Sequence, residues 1–193
     1  MNLYTIGKSI CAAILFSLYR VKIIGRENVP AEGPVIICSN HISNFDPPLV
    51  GVTAPREIYF MAKEELFSNK LIGGILLRVH AFPIKRGMKD RNALRQGLGV
   101  LKEGKTLGLF PEGTRSKTGE IGKGLAGAGF FAVRSEAAIV PCAIIGPYKL
   151  FQPLKVVYGK PLDMDVYREN KSSAQEVTDA IMAEIQNLRE KHQ

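Results

Sequence analysis

A histidine and an aspartate lie five residues apart in the segment Asn40-His41-Ile42-Ser43-Asn44-Phe45-Asp46, directly after a short apolar run. On one continuous helix their side chains would be about 140° apart, so they can meet only if the chain turns between them. Asp46 precedes Pro47, which disfavours helical backbone at Asp46 and is consistent with such a turn. A carboxylate that accepts a hydrogen bond from one imidazole nitrogen leaves the other nitrogen free as a general base. The pair therefore predicts acid–base chemistry.

Both residues also have a structural interpretation. Asp46 stands ahead of Pro47-Pro48 and could simply cap a helix, and His41 could be a hydrogen-bonded loop histidine. No third catalytic partner is visible, so both interpretations stay open at the level of the residues.

Two further clusters combine cations with a glycine after an apolar run. Phe82-Pro83-Ile84-Lys85-Arg86-Gly87 offers two adjacent cations that could hold a phosphate, although a solvated Lys-Arg pair is the usual explanation. In Phe110-Pro111-Glu112-Gly113-Thr114-Arg115-Ser116, the glycine lets backbone N–H groups approach a ligand and the arginine can bind a phosphate through two bonds. The alternative there is a Glu-Gly turn beside a surface arginine. Three such clusters at successive strand ends favour a site for a phosphorylated ligand.

The elements that must position these clusters follow from apolar patterning. The pattern predicts strands at 35–38, 58–61, 81–84, 106–110, 138–145 and 154–158. It predicts helices from Asp46, over 90–103 and 128–136, and from the capping box Ser173-x-x-Glu176. Residues 66–79 are either a loosely packed helix or a membrane-touching surface. Alternating strands and helices predict one α/β domain over residues 25–193, with a mixed sheet flanked by helices and the site at strand ends.

The most apolar stretch, residues 10–19, lies near the N-terminus. As a helix it would cover about 15 Å, which is half of a bilayer's hydrocarbon core. Its apolar stripe recurs at three- and four-residue spacing, and four cations surround it: Leu3, Ile6, Ile10, Ile14, Leu18 and Val21 form the stripe, with Lys8, Arg20, Lys22 and Arg26 around it. Residues 1–24 are therefore predicted to form an amphipathic helix that docks on a membrane surface, with packing on the domain as the alternative.

Composition and net charge indicate that the partner of this protein is an anion. The 193 residues carry a net charge of +8, with 46% hydrophobic and 23% charged residues, which is typical of a globular domain and not of a disordered chain. The basic charge favours a membrane surface, a nucleic acid or a phosphorylated substrate. No nucleic-acid partner is predicted, because the aromatic residues lie in apolar runs such as Phe130-Phe131 and do not alternate with cations. Three dispersed cysteines and isolated histidines predict neither disulfides nor a metal site.

Four segments, in order, resemble the sequence blocks of the glycerolipid acyltransferase family, and in particular the short bacterial 1-acylglycerol-3-phosphate acyltransferases. They are Asn40-His41-x-Ser43-x-x-Asp46, Phe82-Pro83-Ile84-Lys85-Arg86, Phe110-Pro111-Glu112-Gly113-Thr114-Arg115-Ser116 and Ile139-Val140-Pro141. The resemblance extends from about Gly25 to Tyr158. The first and third blocks are the specific ones. The sequence departs from the family pattern at two positions. Pro83 stands where an apolar residue is more common, and Cys142 stands where Val or Ile is frequent.

The resemblance implies transfer of a fatty acyl group from acyl-CoA or acyl carrier protein to the hydroxyl of a lysophospholipid, with lysophosphatidic acid as the expected acceptor. It implies that His41 is the general base and Asp46 its orienting partner. It also implies that Lys85, Arg86 and Arg115 bind the acceptor phosphate, that Glu112 and Gly113 shape the pocket, and that Thr114 belongs to the substrate-binding residues. No cofactor is implied, and the expected location is the cytoplasmic face of the cell membrane. Another lysophospholipid or glycerol 3-phosphate as acceptor, and a non-catalytic phospholipid-binding protein, are the alternatives.

Overall fold

The chain alternates strands with helices over residues 3–85 and 90–193, which are the residues described by this computed structural model. The strands are β1 Arg20–Ile24, β2 Val35–Ser39, β3 Ile58–Lys63, β4 Ala81–Ile84, β5 Thr106–Leu109, β6 Ala138–Ile145 and β7 Pro153–Tyr158. The helices are α1 Leu3–Leu18, α2 Asp46–Thr53, α3 Lys70–Arg78, α4 Arg91–Lys102, α5 Gly127–Val133, α6 Met164–Glu169 and α7 Ala174–His192. The predicted capping box of Ser173 and Glu176 is present at the start of α7.

All seven strands form one sheet in the order β1-β7-β6-β2-β5-β3-β4. The five strands from β6 to β4 in this order run parallel. β7 is antiparallel to β6, and β1 pairs with β7 in a parallel orientation. The predicted single α/β domain with a mixed sheet is therefore confirmed. Because β2, β5, β3 and β4 are parallel, the segments that follow them leave the same edge of the sheet.

The sheet is buried on both faces, as its central strands require. Along β2, Ile36 and Cys38 pack into the apolar layer under α4, α5 and α7, while Val35 and Ile37 pack into the layer under α1 and α2. A parallel strand covered on both faces has a continuous apolar sequence. This explains why the run 35–38 lacks the alternation of a one-sided strand.

The N-terminal helix is shorter than predicted. α1 ends at Leu18, and Arg20–Ile24 pair with β7 as an edge strand, although residues 1–24 were expected to form one helix. The segment Arg20-Val21-Lys22-Ile23-Ile24 starts with the alternation of a half-buried strand, which the helical stripe ending at Val21 obscured. The short α6 was also not predicted.

The two faces of α1 have different surroundings. Tyr4 and Leu15 are buried against the domain, and the Tyr4 hydroxyl accepts a hydrogen bond of 2.9 Å from the Ile58 backbone N–H. Ile10 and Ile14, from the predicted stripe, are 55% and 50% exposed. The helix thus packs on the domain through one face and leaves Leu3, Ile10 and Ile14 of the predicted stripe exposed, whereas Leu18 and Val21 pack against the core. Within residues 3–85 and 90–193, no helix has the length and hydropathy to cross a bilayer.

Candidate active site

His41 and Asp46 meet at the carboxyl end of β2, in the middle of the sheet. The chain turns after Ser39, and Asp46 becomes the first residue of α2. The turn brings His41 Nδ1 to 2.7 Å from Asp46 Oδ2. Both residues are buried, Asp46 completely. The turn that the pair needs is therefore present.

Four donors surround the Asp46 carboxylate. Oδ2 accepts from the backbone N–H groups of Ile42 and Ser43 at 2.6 and 2.7 Å in addition to His41, and Oδ1 accepts from the Tyr148 hydroxyl at 2.6 Å. Both oxygens of the Asp46 carboxylate therefore act as hydrogen-bond acceptors. The N-cap interpretation is wrong, because Phe45 is the N-cap residue of α2 and no side chain caps this helix.

The accepting oxygen of Asp46 fixes the tautomer of His41. Since the carboxylate accepts at Nδ1, the proton lies on Nδ1 and the lone pair lies on Nε2. In the part of the chain that the structure describes, no group donates to Nε2. The ring also stacks on Phe110, with centroids 4.3 Å apart. His41 therefore presents one basic nitrogen from a fixed ring.

The third predicted cluster positions His41 through its backbone. The His41 N–H donates to Glu112 Oε1 at 2.8 Å, and the His41 carbonyl accepts from the Ser116 N–H at 2.7 Å. Glu112 Oε2 accepts from the Gly122 N–H at 3.0 Å. Both oxygens of this buried carboxylate thus hold backbone groups. Glu112 therefore joins the loop of His41 to the segment around Gly122.

Thr114 and Arg115 are exposed on the same loop. Arg115 directly precedes Ser116, whose backbone N–H donates to the His41 carbonyl. Gly113, at φ +67, makes the turn that leads into this segment. Within the described residues, the Arg115 guanidinium has no ion-pair partner. It is therefore available to an anion close to His41.

Lys85 lies farther away. It follows β4, three strand positions from β2, which corresponds to about 14 Å across the sheet. Its ammonium is 3.6 Å from Glu64, and with Arg91 it lines a cavity of about 400 Å³. The structure therefore does not bring Lys85 to the histidine. Arg86 lies outside the described residues.

Sequence analysis missed two residues that hold the site together. Tyr148 follows β6 and bonds Asp46, and burial, with the Asp46 charge as a second cause, raises its pKa far above the ordinary value, so it remains a donor. Asn40 makes two hydrogen bonds with the Ile144 backbone, at 3.0 and 2.8 Å. The Gly146-Pro147 turn at the end of a predicted strand was the one available signal for Tyr148.

The two buried cysteines, Cys38 and Cys142, do not offer an alternative nucleophile. Cys38 and Cys142 are completely buried, and burial raises the pKa of the Cys142 thiol to about 12 and that of Cys38 further. A cavity of about 890 Å³ between β7, α6 and α7 contains none of the predicted site residues. The described residues contain no group of three His, Cys, Asp or Glu that could hold a metal.

Known proteins are similar to this chain in sequence and in fold. The family model named Acyltransferase matches residues 20–145. The chain is 35% identical to the 1-acyl-sn-glycerol-3-phosphate acyltransferase of Bacillus subtilis, over 89% of both chains. It is 30% identical to the enzyme of that name from Streptococcus pneumoniae, over 80% of this chain and 60% of the relative. The crystal structure of the 1-acyl-sn-glycerophosphate acyltransferase PlsC from Thermotoga maritima has the same fold, with a TM-score of 0.77 and 24% identity over 99% of this chain and 78% of that one.

Proposed function

Because the chain belongs to the acyltransferase family, as its motifs predicted, we propose that it transfers a fatty acyl group from a thioester to 1-acyl-sn-glycerol 3-phosphate, giving phosphatidic acid. The observation that carries the proposal is the pair at β2, where Asp46 accepts from His41 Nδ1 at 2.7 Å and leaves Nε2 free. The name of the Bacillus subtilis relative supports this choice of acceptor.

In the proposed mechanism, His41 acts as a general base on the acceptor hydroxyl. Nε2 takes the proton as the hydroxyl oxygen forms a bond to the thioester carbonyl carbon. The Asp46 carboxylate stabilises the imidazolium that results. The tetrahedral intermediate then collapses, the carbon–sulfur bond breaks, and the leaving thiolate takes the proton back from His41.

The donor chemistry agrees with a site that has one base and no strong acid. An ordinary thiol has a pKa of about 8.5, so a thiolate leaves readily, whereas an alcohol needs a base to attack. The buried, protonated Cys38 and Cys142 favour direct attack by the acceptor over an acyl-enzyme. Either acyl-CoA or acyl carrier protein would supply such a thioester.

The acceptor also places the protein at a membrane. We expect peripheral attachment at the cytoplasmic face of the cell membrane, with the exposed stripe of α1 in the headgroup region. The exposed Ile10 and Ile14 support this placement. Since the other face of α1 packs on the domain, point substitutions on the stripe test attachment better than removal of the helix.

A matrix of donors and acceptors tests the proposed function directly. Purified protein is incubated in vesicles with acyl-CoA or acyl carrier protein and with several acceptors, and the lipid products are identified by mass spectrometry. We expect phosphatidic acid from 1-acyl-sn-glycerol 3-phosphate. Product only from glycerol 3-phosphate, or only from another lysophospholipid, would reassign the acceptor, and no product at all would contradict the proposal.

Substitutions of Arg115 test whether this residue binds the acceptor phosphate or is only a surface cation. A planar guanidinium can make two charge-assisted bonds to the acceptor phosphate, which a lysine cannot reproduce. Each such bond contributes about 1.5–3 kcal/mol, so we expect Arg115→Ala to lower kcat/KM for the acceptor by at least about tenfold. Arg115→Lys should recover part of the loss, and KM for the donor should change little.

Lys117 provides the matched control for Arg115. It is an exposed cation two residues further along the same loop. Lys117→Ala should leave kcat/KM for the acceptor and KM for the donor within about twofold of the parent values. Equal effects of the two alanine substitutions would indicate general charge attraction. If kcat/KM for the acceptor is unchanged in Arg115→Ala, Arg115 does not bind the acceptor phosphate.

A further inference from the structure

Three large apolar side chains are exposed at the end of the sheet that carries the His41–Asp46 pair. Phe45, Leu150 and Phe151 are 50%, 59% and 62% exposed. Phe45 precedes Asp46, and its ring lies 6.1 Å from the Tyr148 ring, whose hydroxyl donates to Asp46. We call these three residues the mouth patch. Phe151 has a φ of +60, which is uncommon for a bulky residue, so this backbone holds an apolar ring in solvent at a conformational cost.

The mouth patch continues into the N-terminal helix. The Phe151 N–H donates to the Leu18 carbonyl at 2.8 Å, and the Arg20 N–H donates to the Gln152 carbonyl at 3.0 Å. The patch thus joins the end of α1 to the site. The exposed residues of α1 and the patch form neighbouring parts of the surface.

The exposed charges in the chain segments next to Leu150 and Phe151 are all positive. Lys149 and Arg20 are exposed beside it. No aspartate or glutamate occurs in residues 1–26 or 137–162, and the one carboxylate next to Phe45 is the buried Asp46. An apolar patch bordered by cations without acids is complementary to an anionic lipid surface.

We propose that the mouth patch docks on the anionic lipid bilayer and holds the opening of the site against the leaflet that contains the acceptor. This inference rests on the proposed function, because a lipid acceptor is what gives the site a reason to face a bilayer. The loop 146–152 then has two roles, since Tyr148 positions Asp46 from inside while Leu150 and Phe151 contact lipid from outside.

Vesicle binding of the full chain tests the docking. In the variant Leu150→Ser/Phe151→Asn, the asparagine tolerates the positive φ, so the loop keeps its conformation. We expect its affinity for vesicles of phosphatidylcholine and phosphatidylglycerol to fall about tenfold, which corresponds to about 1.4 kcal/mol. The control Val166→Ser changes a side chain with 50% exposure on α6, on the other side of the sheet, and should bind as the parent does. Unchanged binding of the double variant would overturn the proposal.

A tryptophan reporter tests the same contact without weakening it. The chain contains no tryptophan, so Leu150→Trp reports on one position. Its emission should shift to the blue when the anionic vesicles are added, and brominated lipids should quench it. Val166→Trp should show neither change. A Leu150→Trp emission that stays at its aqueous wavelength would contradict docking.

Activity separates this inference from the proposed function. The double variant should lose about tenfold in activity on a long-chain acceptor in vesicles and keep its activity on a short-chain, water-soluble lysophosphatidic acid. Equal losses on both acceptors would show that the loop acts only through the site, against docking. If the parent protein acylates neither acceptor, the proposed function fails, while vesicle binding still decides the docking.

Discussion

His41→Ala is expected to reduce kcat for acyl transfer by about 10³-fold, the middle of the range for removal of a general base. In the proposed mechanism, the acceptor hydroxyl would lose the base that accepts its proton. Steady-state kinetics at saturating donor and acceptor measures the effect. Because the proposed base acts on the reacting hydroxyl, the loss should fall mainly on kcat.

The fold should survive this substitution. Asp46 keeps three of its four donors in His41→Ala, namely the Ile42 and Ser43 N–H groups and the Tyr148 hydroxyl, so the buried charge stays paired. His192→Ala, at the end of α7, removes a different imidazole and should retain full activity. A melting temperature close to that of the parent protein would show that the lost activity is chemical. Retention of more than about a tenth of the activity, a barrier change below about 1.4 kcal/mol, would reject His41 as the base.

Six of the seven strands were predictable because their patterns are local. Strands β4 and β6 begin and end where the apolar runs do, at Ala81–Ile84 and Ala138–Ile145. β1 was not predicted, since its alternation directly follows a strongly apolar helix and a helical spacing fits both. Pairing with β7, more than a hundred residues later in the chain, decides the conformation of Arg20–Ile24.

The partners of the site were harder to foresee than its central residues. His41 and Asp46 stand in one motif, so the spacing itself pointed to a turn. Tyr148 bonds Asp46 across 102 residues and Glu112 bonds the His41 N–H across 71. Contacts of this range depend on the strand order β6-β2-β5, which local patterning does not determine. The same strand order places Lys85, which the resemblance assigns to the acceptor phosphate, after the edge strand β4.

Asp46→Asn separates the charge of this side chain from its shape, and we expect it to reduce kcat by about 10³-fold. The amide oxygen can replace Oδ2 and accept from His41 Nδ1 and from the Ile42 and Ser43 N–H groups. The amide nitrogen then replaces Oδ1 and can donate to the Tyr148 hydroxyl oxygen. The reverse orientation would point the amide N–H₂ at three donors, so one orientation is strongly favoured. The imidazole keeps its tautomer, and what is lost is the negative charge beside the imidazolium.

Tyr148→Phe is the companion variant, because it removes one donor and leaves the charge in place. A hydrogen bond to a carboxylate contributes about 1.5–3 kcal/mol, but three donors remain on Asp46, so we expect a loss of about tenfold or less. A much larger loss in Asp46→Asn than in Tyr148→Phe, with both proteins melting near the parent temperature, would assign the effect to the carboxylate charge. If Asp46→Asn keeps more than about a tenth of the activity, the carboxylate only positions the ring, and His41 must accept the proton without a stabilising anion.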